Sequence, residues 1–164
     1  MNTKGLSAIH LNGIIILFLI LIPIINTYAE VLDADAATIL IADQGNEVVI
    51  PITYNSIGDG AFSNTELTSV VIPDSVISIG AGAFYDLSSL NSVTMTGTVT
   101  SIGVSAFSGT GLTSVVIPDS VISIGAGAFY DCADLTAVTI GNSVETIGDE
   151  AFSNTGLTSA VIPD

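Results

Sequence analysis

Cations are almost missing from this 164-residue sequence: Lys and Arg together number 1, against 16 Asp and Glu, and His occurs once. The Lys and the His are Lys4 and His10, so no residue after Ala29 carries a positive side chain. Nucleic acid is excluded as a partner, because neutralising phosphates takes Lys and Arg. An anionic membrane surface is excluded on the same ground. Trp is absent, and the single cysteine, Cys132, has no partner for an intramolecular disulfide, so stability has to come from packing. Nucleophilic catalysis needs a base beside Ser or Cys, and neither His nor Lys is available beyond residue 29. A carboxylate pair can serve as acid and base, but nothing marks one pair out. The chain reads as non-catalytic and without a cofactor.

Long apolar runs are few as well. Ile14 to Ile25 is apolar for about a dozen residues, after Lys4 and before Thr27-Tyr28-Ala29, the layout of a secretory signal peptide. Residues 1–29 are therefore expected to be a leader cleaved after Ala29. An uncleaved anchor is the weaker reading, because the run falls short of the roughly 18 to 20 residues that span a bilayer and Pro23 lies near its end.

What the sequence has is repetition. Ile-Gly-x-x-Ala-Phe recurs at Ile57, Ile79, Ile102, Ile124 and Ile147, with steps of 22, 23, 22 and 23 by subtraction. Odd units carry Ser-Asn-Thr or Ser-Gly-Thr before the next Leu. Even units carry Tyr85-Asp86-Leu87 or Tyr130-Asp131-Cys132 and one further residue. After each Ile-Gly-x-x-Ala-Phe lies a β-branched segment with apolar residues at its first, fourth and sixth places. It runs Leu67, Val70, Ile72; then Leu90, Val93, Met95; Leu112, Val115, Ile117; Leu135, Val138, Ile140; and Leu157, Ala160, Ile162. This pattern suits a strand. The three- and four-residue spacing that follows (Val76, Ile79, Ala83, Phe84, Leu87) suits a return with a short helical turn onto the same core. One such unit cannot bury itself, so units must stack.

These residues resemble the BspA-like leucine-rich repeats of microbial surface proteins over about 57 to 164. The resemblance implies an α/β-type repeat solenoid: a right-handed superhelix with a parallel β-sheet on the concave face and short helical or irregular returns on the convex face. It also implies a place at the cell exterior and a role in adhesion, and it carries no catalytic residue.

Units begin at Leu67, Leu90, Leu112, Leu135 and Leu157, the last incomplete at Asp164, and a degenerate first repeat occupies 45–66. Thr38 to Ala42 reads as a short cap strand before the turn Asp43-Gln44-Gly45-Asn46, and Glu30 to Ala37 as a mobile acidic tail. Thr53, Ser75, Thr98, Ser120 and Ser143 occupy the column where related repeats place Asn. They are expected to form a hydroxyl ladder bonding the backbone of neighbouring coils. Gly58, Gly80, Gly103, Gly125 and Gly148 are expected to supply either a positive φ or a close approach of coils. Cys132 aligns with Leu87 and reads as a small buried apolar residue.

Residues between the core positions of each strand point away from the core. They form the candidate binding face: Ser69, Val71, Pro73, Ser92, Thr94, Thr96, Ser114, Val116, Pro118, Ala137, Thr139, Ser159 and Val161. Of the acidic columns, Asp74, Asp119 and Asp164, and Asp86 and Asp131, repeat every second coil, roughly 10 Å apart, while Asp59 and Asp149 lie four coils apart. Calcium needs six to eight oxygens at about 2.3 to 2.6 Å, so no metal site is expected from any one column. The expected function is a secreted or cell-surface module recognising an extracellular protein or glycan. Alternatives are a structural spacer or assembly unit associating end to end, and a binder of a regular lattice through the Ser and Thr rows.

Overall fold

In the computed structural model, residues 7–11, 14–18 and 30–161 are described. β1 (Ser7–Leu11) and β2 (Ile14–Phe18), inside the expected leader, pair antiparallel. The expected cleavage position after Ala29 lies outside the described residues. Among the described residues, no helix is long and apolar enough to cross a membrane.

The remainder is a parallel solenoid in which each coil contributes two strands. The first set is β4 (Glu47–Val49), β6 (Ser69–Ile72), β8 (Ser92–Met95), β10 (Ser114–Val116), β12 (Ala137–Thr139) and β14 (Ser159–Val161). The second is β3 (Glu30–Leu32), β5 (Tyr54–Ile57), β7 (Ser78–Ile79), β9 (Ser101–Ile102), β11 (Ser123–Ile124) and β13 (Thr146–Ile147). The second set forms one continuous sheet, β13-β11-β9-β7-β5-β3. The return is thus a second parallel strand followed by i→i+3 turns, such as Ala61 N–H to Gly58 O and Ser63 N–H to Gly60 O. The expected helical turn does not form. The first set divides into β4-β6-β8 and β10-β12-β14. At β8, on the near side of this break, the core residues Val93 and Met95 are only half-buried.

The core is built in columns. Phe62, Phe84, Phe107, Phe129 and Phe152 stack one per coil, with ring centroids 4.9 to 5.3 Å apart and planes within 6°. Ile57, Ile79, Ile102 and Ile124 form a second column, and Leu67, Leu90, Leu112 and Leu135 a third, all buried. The alternating step has a packing reason. The extra residue of even coils lies between the Phe and the next Leu and admits Leu87 and Cys132 to the core. In odd coils Thr65, Thr110 and Thr155 stand there instead, and each hydroxyl donates to the carbonyl of the Phe three residues back, at 2.7 to 2.9 Å.

Of the two roles expected for the Ile-Gly glycines, close approach is the one found. A Cβ on Gly80, Gly103, Gly125 or Gly148 would stand 2.4 to 2.6 Å from atoms of the preceding coil. Each N–H of these four residues reaches back 2.8 Å to a carbonyl of that coil, for example Gly103 to Ile79. Left-handed φ falls two residues later in each coil, at Gly60, Gly82, Ser105, Gly127 and Glu150.

At the N-terminal end both local expectations are corrected. Thr38 to Ala42 lies within helix α1 (Ala34–Gln44), not a strand. Asp33 caps it by accepting from Ala36 N–H at 3.0 Å, and Gly45 (φ 78°) ends it. The alanines favour a helix, and the spacing of Ala37, Leu40 and Ile41 turns its apolar stripe onto the first coil. Glu30 to Ala37 is not a free tail, because β3 pairs with β5 and buries Leu32 completely. The Gln44 amide donates to Val49 O at 3.1 Å and accepts from Val49 N–H at 2.8 Å. It takes a neighbouring strand's place along the edge of β4.

Candidate binding surface

The outward residues of the first sheet lie in register across coils. Ser69 is beside Ser92 and Val71 beside Thr94; Ser114, Ala137 and Ser159 form one row; Val116, Thr139 and Val161 form another. Alternation along each strand dictates this, since the flanking positions are drawn into the core. Ser92, Thr94, Ser114, Val116, Thr139, Ser159 and Val161 are exposed, while Ser69, Val71, Pro73, Pro118 and Ala137 are half-buried. Thr96 is not available in the same way: its hydroxyl donates to Ile72 O at 2.9 Å. β8 and β10 lie side by side without ladder pairing, so the surface crosses an irregular junction there. Sequence reasoning also missed Glu47 and Val49, which extend the face at its N-terminal edge, since β4 pairs in register with β6. Val48 and Ile50 are buried in the core, and alternation along β4 turns Glu47 and Val49 outward.

The expected hydroxyl ladder is corrected in its membership. Thr98 bonds Asp74 O and Val76 O (3.0 Å to the latter), and Ser120 donates to Val99 O at 2.7 Å. Ser75 Oγ is buried with no partner, and Thr53 and Ser143 are exposed and make no side-chain bond among the described residues. Thr98 and Ser120 thus bond the preceding coil as expected, and a second set of coil-to-coil hydroxyl bonds lies one bend earlier, just after the core Leu. There Thr68, Thr136 and Thr158 each donate to a backbone carbonyl of the preceding coil at 3.1 to 3.2 Å. The Leu-Thr pair of the repeat was visible in the sequence, but which bend brings hydroxyl and carbonyl together depends on the coil path.

Two side chains of the acidic columns brace the next coil: Asp59 accepts from Ala81 N–H at 2.7 Å, and Asp119 from Asn142 N–H at 2.9 Å. Among the described residues, no three His, Cys, Asp or Glu side chains converge as metal ligands. Cys132 is fully buried. Its thiol lies 3.2 Å from Thr110 Oγ1 and donates to Phe107 O at 3.1 Å. Burial raises its pKa above the ordinary thiol value, opposed by hydrogen bonding with Thr110 and with the backbone of Gly109.

On the return side the sequence reading noted Tyr130 in the even-unit motif and Asp149 in an acidic column, but did not bring the two together. Tyr130 lines a shallow groove with Val104, Ala126, Gly127, Asp149 and Glu150, on three successive coils.

The profile of the BspA type leucine rich repeat region matches residues 55–164 in six copies. A leucine rich cell surface protein from Faecalibacterium prausnitzii is 36% identical with a TM-score of 0.67, over 71% of this chain and 31% of that one. A leucine rich repeat protein of T. pallidum is 30% identical with a TM-score of 0.69, over 72% of this chain and 59% of that one. The chain thus spans about a third and three fifths of the lengths of these two proteins. A leucine-rich repeat protein from Bacteroides ovatus, 24% identical with a TM-score of 0.54 over 68% of this chain and 35% of that one, shares the fold. None of the curated proteins matches. By the repeat profile and the coil geometry together, the chain belongs to the BspA-type leucine-rich-repeat family.

Proposed function

We propose that the chain is a non-catalytic module of the cell exterior that recognises an extracellular protein or glycan through its first-sheet face. The observation that carries this reading is a set of exposed positions without a structural task. The hydroxyls of Ser92, Thr94, Ser114, Thr139 and Ser159 bond nothing among the described residues, and Val116 and Val161 are 64% and 60% exposed beside them. Hydroxyls in register offer hydrogen bonds at the coil repeat, and the valines offer apolar contact. The face lacks Arg, Tyr and Trp, the usual anchors of tight interfaces, so recognition rests on many small contacts. Likeness to a bacterial cell surface protein supports the location.

An array of extracellular-matrix proteins and glycans, probed with the native chain and with a Thr94→Gln, Thr139→Gln double variant, tests the reading. Binding that the native chain shows and the folded variant loses is the expected result. Equal binding by both would refute the face. The assembly alternative predicts concentration-dependent sedimentation with no array partner.

A further inference from the structure

The return-side groove has a chemistry that the first-sheet face lacks. Val104 and Ser105 come from one coil, Ala126, Gly127 and Tyr130 from the next, and Asp149 and Glu150 from the one after. Gly127, at φ 60°, sits between Ser105 and Tyr130; a Cβ there would lie 3.4 Å from Ser105 Oγ and 3.5 Å from Tyr130 Cβ. The Tyr130 hydroxyl accepts from Asn154 Nδ2 at 3.1 Å, which holds the ring from the neighbouring coil. The Asp149 and Glu150 carboxylates are exposed and bond nothing among the described residues. No Lys, Arg or His exists between residues 30 and 161 to neutralise them.

We propose that this groove receives a Lys or Arg side chain of a basic protein partner. The cationic head would lie against the Tyr130 ring, which attracts a cation within about 6 Å of its centre, and beside the two carboxylates. The methylene stem would run along Val104 and Ala126, as the stems of such residues do on apolar surface. Charge complementarity selects this occupant: the chain's formal net charge of −15 repels anions and steers cations toward it. A neutral ligand would desolvate the carboxylates without pairing them.

The alternation of odd and even coils supplies an internal comparison, since like coils recur every 45 residues (22 + 23). Tyr85 stands 45 residues before Tyr130 (130 − 85), but the equivalents of Asp149 and Glu150 there are Val104 and Ser105 (149 − 45 and 150 − 45). The Tyr85 position has the ring without this acidic pair, so a single groove is expected. The proposal rests on the binding-module reading but places this contact on a different face.

The test is a titration of the full chain with a fluorescently labelled tetra-arginine peptide, read by anisotropy at physiological salt. Saturable one-to-one binding is expected. The pair Asp149→Asn, Glu150→Gln should weaken it about fivefold or more, and Tyr130→Leu about threefold, while Tyr130→Phe, which keeps the ring, stays within about twofold. The pair Asp35→Asn, Asp43→Asn removes the same charge from helix α1 and should weaken binding by less than about twofold. Equal weakening by the two charge pairs would reduce the effect to diffuse attraction and overturn the proposal, as would no saturable binding. If Tyr130→Leu does not fold, as judged by its melt, the two charge pairs and Tyr130→Phe still decide. The Thr94→Gln, Thr139→Gln variant should bind the peptide normally. Loss there with retention in the groove variants would overturn the groove and leave the first-sheet face standing.

Discussion

Truncating the central ring of the aromatic column, Phe107→Ala, tests the stacking account of stability most directly. Phe107 is fully buried, 4.9 Å from Phe84 and 5.3 Å from Phe129, with planes 6° and 5° from parallel. A buried Phe→Ala change costs about 3 to 5 kcal/mol through lost transfer energy and the cavity left behind. Each aromatic pair contributes about 0.5 to 1.5 kcal/mol beyond burial. Phe107 loses two such pairs, so its cost should lie in the upper part of the range, about 4 to 5 kcal/mol. Phe62 is equally buried but has one stacked neighbour among the described rings, which lowers the expectation to about 3 to 4 kcal/mol. Phe152, half-buried at the last coil, should cost about 2 kcal/mol. Urea unfolding followed by circular dichroism measures the series, with Val116→Thr on the exposed face expected within about 0.5 kcal/mol of the parent. Coils contact only their neighbours, so a central cavity should also broaden the transition by weakening both interfaces it touches. If Phe152→Ala or Val116→Thr destabilises as much as Phe107→Ala, the reasoning is refuted.

Other expectations follow from single contacts. Ser75→Ala should stabilise by about 1 kcal/mol by removing a buried hydroxyl without a partner, whereas Ser120→Ala should destabilise by about the same amount by orphaning Val99 O; denaturation midpoints that move in the same direction would contradict this. Gly103→Ala should cost about 1 to 3 kcal/mol, because its Cβ would lie 2.6 Å from the Gly80 backbone, while Gly97→Ala, with open space around it, should be neutral in a thermal melt. The buried thiol gives an alkaline dependence. The folded pKa of Cys132 is raised above 9.0, so its contribution to stability is complete below that value and is lost as pH rises from there through the folded pKa. The parent should therefore lose stability from about pH 9 upward by more than Cys132→Ala does, and a thiol reagent should modify Cys132 only on unfolding.

Sequence alone determined the repeat, its alternating step, and the Ile, Phe and Leu columns of the central core. Each of these is a periodic property, and apolar side chains recurring at the same place in every unit can be buried together only by stacking. Cys132 in the Leu87 place and Ser92, Thr94 and Thr139 facing outward are legible for the same reason. Features that are not periodic were decided by the tertiary structure. Thr38 to Ala42 became helix because Asp33, Gly45 and burial of Ala37 and Leu40 outweighed the local strand signal. Ser75 and Ser120 share a column but differ in bonding, since hydrogen bonding requires tenths-of-an-ångström placement that spacing does not encode. Asp149, Glu150 and Tyr130 are separated along the chain by more than a dozen residues of return and strand. Only winding one coil against the next brings two free carboxylates to a held aromatic ring, because side chains on neighbouring coils meet across the stack and not along the sequence.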